Sequence, residues 1–212
     1  MLIGLIGLID SGKGTVADEL VNAYGFHRDS FASTLKDICA VLFNWDRAML
    51  EGNTSEGRTE REQVDEWWSK KLNIPNFTPR LALQLIGTDV FRNHFHKDVW
   101  MLSIRSRYNN NNKNVVISDV RFPNEVRMIR EMDGIIIRVE RGEEPIWWKH
   151  AVEATNGGIG AEAIMIETYK DIHHSEWAWA NTKPDTVILN CGTLEDLRGM
   201  IVLLNNKYKF KS

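Results

Sequence analysis

Lys13 is set among glycines in Gly7-Leu8-Ile9-Asp10-Ser11-Gly12-Lys13-Gly14-Thr15, and that spacing suits a loop that wraps a polyphosphate. Glycines let the backbone curl so that successive N–H groups point inward, while one ammonium supplies a full charge. Gly14 stands where the general pattern carries Ser or Thr, so the hydroxyl expected to touch Mg²⁺ falls to Thr15. Gly7, Asp10, Ser11, Gly12, Lys13, Gly14 and Thr15 are therefore expected to bind a nucleoside triphosphate. The loop is silent on what is done with that nucleotide.

Other residues could add chemistry. Asp119 and Arg121 follow the apolar run Val115–Ser118, and ligands of open parallel sheets sit beyond the carboxyl ends of the strands. A carboxylate there can hold Mg²⁺, usually through water, and an arginine can grip a phosphate with two parallel hydrogen bonds. Asn190 closes the last strand on the same edge. Arg80, Gln84 and Thr88 recur every fourth residue and so line one side of a helix. That row suits a phosphorylated ligand, and it is equally the pattern of an exposed helix face. Lys36 reads either as a cation near the mouth of the nucleotide site or as a solvated helix lysine. His173 and His174 are adjacent, do not share a helix face and have no further ligand cluster, so no metal is expected there.

The elements that must position these residues follow from periodicity. Leu2–Ile6 is continuously apolar, as expected of a strand buried on both faces of a parallel sheet. After Thr15 the period changes, and Ala17, Leu20, Val21 and Tyr24 share one helix face. A short second strand at Phe26–Arg28 leads to a helix over Phe31–Phe43 capped by Ser30. Residues 44–78 read as irregular, with a loop at Asn53, Thr54, Ser55 and Gly57, and Trp67-Trp68 covering a core edge. Pro79 opens a helix whose apolar face is Ala82, Leu85, Ile86 and Val90. Asp98 and Trp100 open another, ending before a surface turn at Asn109–Asn112. Val115–Ser118, Ile135–Val139 and Thr186–Leu189 complete five strands. Thr193 and Asp196 have capping-box spacing ahead of a helix that buries Leu194, Leu197, Ile201 and Leu204. Residues 142–183 show no clean period between two strands, as an active-site lid would.

The chain has 212 residues, enough for a proper core, and a formal net charge of −3, which argues against a general nucleic-acid binder. Two cysteines are too few for a disulfide framework. No apolar run approaches membrane-spanning length, so a cytoplasmic protein without membrane contacts is expected.

Several segments resemble the phage-type deoxynucleoside monophosphate kinases. These are Gly7-x4-Gly12-Lys13-Gly14-Thr15, Phe31-Ala-x-x-Leu-Lys36, Arg80-Leu-x-Leu-Gln84-x-x-Gly-Thr-Asp89, Asp98-x-Trp100, Asp119-x-Arg121, Arg138-Val-x-Arg141 and Asp185-x-Val-Ile-x-Asn190. The resemblance implies one α/β P-loop kinase domain over 1–212, a five-stranded parallel sheet flanked by helices. Residues 44–78 would form the acceptor-binding region and 142–183 the lid. ATP and Mg²⁺ would be used to phosphorylate a small-molecule acceptor, a (deoxy)nucleoside monophosphate, in a monomer or homodimer. Lys13 and the loop would hold the β- and γ-phosphates; Thr15 and Asp119 would hold Mg²⁺. Arg121, Arg80 and Lys36 would hold the acceptor phosphate, with Gln84, Asp89 and Trp100 on the substrate-binding side. Arg141 would meet the transferring group and Asn190 the adenine. Phosphomevalonate kinases share a Ser-Glu pair like Ser175-Glu176, so a small-molecule kinase of that or the dephospho-coenzyme A kind, or a nucleotide-binding ATPase, is the alternative.

Overall fold

The computed structural model describes residues 1–52, 54–108 and 113–210, so Asn53 and the expected Asn109–Asn112 turn lie outside the described residues. It comprises two compact units, Met1–Ser30 with Tyr108–Ser212, and Phe31–Arg107. β1 (Leu2–Ile6) leads through the glycine loop into α1 (Lys13–Tyr24), and β2 (His27–Asp29) follows. The second unit carries α2 (Ser33–Phe43), α3 (Arg47–Glu51), α4 (Ser55–Glu62), α5 (Glu66–Leu72), α6 (Pro79–Gln84), a π-helix (Leu85–Phe95) and α7 (Val99–Tyr108). The chain then runs through β3 (Val115–Ile117), α8 (Pro123–Glu131), β4 (Ile135–Glu140), α9 (Trp148–Thr155), α10 (Ile159–Glu167), a 3₁₀ turn (His174–Glu176), β5 (Thr186–Leu189) and α11 (Leu194–Tyr208).

In the first unit the five strands form one parallel sheet in the order β2-β3-β1-β4-β5. β1 is central and buried along its whole length, which is why its sequence shows no polar alternation. On one face Ile3, Leu5, Ile137, Val139 and Ile188 pack with Val16, Ala17 and Leu20 of α1 and Leu197, Ile201 and Leu204 of α11. On the other face Gly4 admits α8 so closely that a Cβ would stand 2.6 Å from Ile129 Cδ1. Thr193 and Asp196 form the expected capping box. Leu194, expected inside, is exposed because it opens the first turn, ahead of the buried stripe that begins at Leu197.

The second unit departs from the sequence reading in three places. α2 starts at Ser33 with no side-chain cap; Ser30 instead donates its N–H to Asp29 Oδ1 at 2.7 Å, in the turn after β2. Residues 44–78 hold three short helices rather than irregular chain. Each is capped by a side chain, Asp46, Thr54 and Asp65 accepting backbone N–H groups of their own first turns. Helices this short carry too few apolar positions to announce a period, and the caps were their only signal. Trp68 covers a core edge as expected, its indole N–H on the Phe43 carbonyl, whereas Trp67 is exposed. Finally, the helix after Pro79 widens into the π-helix from Leu85, and i→i+5 winding turns Val90 out to solvent. Among the described residues no helix is long and apolar enough to cross a membrane.

Candidate active site

The glycine loop lies at the carboxyl end of β1, and two of its glycines occupy positions closed to other residues. Gly7 has φ 153°, and a Cβ there would stand 2.4 Å from the Val139 carbonyl oxygen and 2.7 Å from Ser11 Oγ. Gly12 has φ 95°, and its Cβ would fall 2.1 Å from Asn190 Nδ2. Asp10 also adopts positive φ, 60°. Asn190, just past β5, donates Nδ2–H to the Ser11 carbonyl at 2.9 Å and its own N–H to the Glu140 carbonyl at 2.7 Å, tying the loop to the sheet edge.

Lys13 folds over this loop, its Nζ donating to the carbonyls of Gly7 at 2.8 Å and Leu8 at 2.7 Å. Ser11 Oγ is buried without a hydrogen-bond partner among the described residues. An orphaned donor in the same loop as an ammonium is an arrangement that an anion would satisfy. Thr15 lies exposed in the first turn of α1, where Gly14 leaves open space, the nearest atom to its missing Cβ being Arg28 Nη2 at 3.7 Å.

Burial lowers the Lys13 pKa from 10.5 to about 8; the Arg121 guanidinium pushes the same way, while Glu176 and Asp10 oppose it. Lys13 is therefore charged below about pH 8 and progressively neutral above it. ATP affinity is expected to fall as pH rises through about 8, because a neutral amine offers the phosphates no charge. Bound phosphates raise the pKa again, so ATP binding should take up about half a proton near pH 8 and close to one near pH 9. Calorimetry in two buffers of different ionisation enthalpy measures that uptake, and Lys13→Met should abolish it.

Arg121 follows β3 at a tightly held turn: Glu125, itself buried, accepts the backbone N–H groups of Arg121 at 2.7 Å and Phe122 at 3.1 Å. The Arg121 side chain reaches away from that turn, Nη1 donating to Ser175 Oγ at 3.0 Å and to the Glu176 carboxylate. Asp119 is half-buried between β3 and Arg121. Arg141 is exposed and lines a small pocket with Leu8, Ser11, Arg138 and Trp179.

The first unit thus brings together the loop, Lys13, Arg121 and Asn190. Sequence reasoning gave no role to three neighbours, although Glu176 stood in the Ser175-Glu176 pair and Arg138 in the Arg138-Val-x-Arg141 segment. Arg138 lies 4.8 Å from the Trp148 ring and 5.7 Å from the Trp179 ring, held by Glu140 and Glu144, each at 2.9 Å. Arg28 of β2 pairs with Asp18 at 2.6 Å. The tryptophan-rich composition of 142–183 was the available signal for Arg138; nothing in the sequence singled out Arg28.

The remaining expected residues belong to the second unit. Lys36 is nearly enclosed and pairs with Glu51 at 2.8 Å, and Arg80 pairs with Glu62 at 2.8 Å. Gln84 is exposed, and so is Asp89 on the π-helix, within reach of Asn93 at 3.5 Å. Trp100 is buried, and its Nε1–H is committed to the Gly87 carbonyl at 3.1 Å. Gly87 is itself packed so closely that a Cβ would stand 2.5 Å from Leu35 Cδ2. Among the described residues there is no cluster of three or more His, Cys, Asp or Glu that could hold a metal ion.

Comparison with known proteins adds a family. The profile of the deoxynucleotide monophosphate kinases matches residues 48–166. A protein of Acanthamoeba polyphaga mimivirus whose name assigns it to those kinases is 31% identical over 215 residues, covering 95% of this chain and 94% of its own. Deoxynucleoside-5′-monophosphate kinase of Escherichia phage T5 is 33% identical over 229 residues, covering 79% of this chain and 88% of its own. Among solved structures, shikimate kinase from Aquifex aeolicus matches with a TM-score of 0.48 at 14% identity, covering 100% of both chains.

Proposed function

The chain belongs to the deoxynucleotide monophosphate kinase family, and on that premise we propose how its own residues serve the reaction. The enzyme is an ATP-dependent kinase. An oxygen of the acceptor's 5′-phosphate attacks the γ-phosphorus of ATP, the bond from that phosphorus to the β–γ bridging oxygen breaks, and ADP leaves beside a nucleoside diphosphate. The attacking oxygen is already ionised, so no general base is required. The work is alignment and charge neutralisation.

One observation carries the reading: Gly7 and Gly12 hold backbone positions that a side chain would fill, and Lys13 is drawn across the loop they shape. Lys13 would leave the two carbonyls for the β- and γ-phosphates, and the orphaned Ser11 hydroxyl would gain an acceptor. Arg121 would grip the acceptor phosphate, and Arg141 the transferring group. Asn190 would steady the adenine side of the loop. Lys36, Arg80, Gln84 and Asp89 are proposed to serve the acceptor nucleotide. Trp100, whose polar atom is already spent, would serve it only through packing.

Thr15 and Asp119 are hard oxygen donors of the kind Mg²⁺ takes, and two are enough, because that ion keeps waters and phosphate oxygens in its remaining positions. When bound, it would supply charge neutralisation on the phosphates. The α9–α10 pair within 142–183 is proposed as the lid that excludes water, against which ATP hydrolysis would compete. The viral source of both relatives supports action in the cytoplasm of an infected host.

A coupled ADP-release assay with each of the four deoxynucleoside monophosphates tests the reading. ADP formation is expected to depend on at least one of them. Release indifferent to every monophosphate would mean an ATPase, and release only with a non-nucleotide acceptor would mean a different kinase.

A further inference from the structure

Glu176 and Ser175 lie within the 142–183 segment, and neither has been given a task of its own in the reaction. Both are aimed at Arg121. Ser175 is buried, and its hydroxyl lies 3.0 Å from Arg121 Nη1 on one side and 2.9 Å from His173 Nδ1 on the other. The Ser175 backbone N–H also points at His173 Nδ1, at 3.2 Å, which makes that nitrogen an acceptor. The hydroxyl therefore donates to His173 and presents its lone pairs to the arginine. Glu176 completes the hold with a carboxylate on the same Nη1, its side chain only 15% exposed against 44% for Arg121.

The turn bearing these groups is anchored from both ends. Behind it, Trp177, Ala178, Trp179 and Ala180 are all buried. Beside it, the His174 ring lies 4.5 Å from Trp177 and 6.0 Å from Phe122, the residue after Arg121. A guanidinium on a half-exposed side chain samples many rotamers and loses that freedom when it binds phosphate. Here the restriction is imposed beforehand, and it engages one nitrogen. Among the described residues the Nη2 and Nε edge of the same fork makes no hydrogen bond, which leaves it for a two-pronged phosphate contact.

We propose that Ser175 and Glu176 are positioning residues for the phosphoryl-transfer reaction, a clamp that fixes the Arg121 guanidinium while leaving its phosphate-binding edge exposed. The proposal rests on the kinase reading above for the identity of the phosphate that Arg121 meets. It also makes Glu176 an anion beside two cations that must receive further anions. Removing it leaves more positive charge for ATP while releasing Arg121. Affinity and turnover are then pulled in opposite directions, which a purely structural role does not do.

The test is a double-mutant cycle with wild type, Glu176→Ala, Arg121→Ala and the double variant, each assayed for turnover and titrated with ATP. Glu176→Ala should lower kcat by roughly 10- to 100-fold with ATP affinity unchanged or tighter, and should cost nothing further in the Arg121→Ala background. Glu176→Gln keeps an acceptor oxygen for Nη1 and should recover part of the loss. It also carries the cycle if the alanine variant does not fold. Equal losses in both backgrounds, or a parallel loss of ATP affinity and turnover, would overturn the clamp. If the wild type shows no monophosphate-dependent turnover, the kinase reading fails and thermal melting of the same four proteins decides the clamp: stability losses that couple Glu176 to Arg121 sustain it, and additive losses remove it.

Discussion

Replacing Lys13 with alanine is expected to lower turnover by on the order of 10²-fold or more while leaving the fold intact. The argument has two parts. The ammonium is the only full positive charge the glycine loop itself contributes, and charge on the transferring group is greatest in the transition state. The fold, by contrast, does not depend on it, because burying that cation is unfavourable, as its pKa of about 8 records. Lys13→Met, which keeps the aliphatic stem, should lose as much activity and retain a melting temperature within a few degrees of wild type. A variant keeping most of its turnover would remove Lys13 from the mechanism.

Gly7→Ala should be nearly as damaging by a different route. The new Cβ would meet the Val139 carbonyl oxygen, an atom of the central sheet that cannot swing aside, at 2.4 Å. The loop must move instead, and the backbone conformation at φ 153° adds strain of about 1–3 kcal/mol for any residue but glycine. ATP affinity is expected to fall by roughly 10- to 100-fold, since each 1.4 kcal/mol is a factor of ten. Gly25→Ala separates strain from collision: Gly25 also has positive φ, 64°, but no atom lies within 4 Å of its missing Cβ. That variant should lose stability and bind ATP normally. Calorimetric titration beside thermal melting reads both effects.

The parts of the fold visible in the sequence are those fixed by local pattern. Leu2–Ile6, apolar throughout and followed by a glycine turn, suits a doubly buried strand, and the Thr193–Asp196 spacing suits a helix start. The five-stranded parallel sheet follows from such segments taken together. Where several weak preferences compete, the sequence was mute. The helices of residues 44–78 are held by Asp46, Thr54 and Asp65 caps and by aromatic contacts such as Phe43 with Trp45 at 4.4 Å, not by periodic faces. The π-helix at Leu85–Phe95 includes Gly87, closely packed on Leu35, a contact between separate segments that no single-sequence period encodes.

The same division holds at the site. The tight turn at Gly7 and Gly12 and the position of Lys13 over it were legible because they depend on spacing along the chain. Arg121 and Asn190 were legible because parallel sheets place ligands at strand ends. Glu176 was not, because its meaning comes from a residue 55 positions earlier in the chain. Arg138 stood in a quoted segment, but its surroundings were hidden in the same way, because its aromatic partners Trp148 and Trp179 lie in later segments.

A crystal structure with ATP and magnesium tests the central claim most directly. The polyphosphate should lie in the Gly7–Thr15 loop, with Lys13 Nζ moved from the Gly7 and Leu8 carbonyls onto the outer phosphates and Ser11 Oγ no longer without a partner. ATP bound elsewhere, or Lys13 still spanning the two carbonyls with nucleotide present, would contradict it.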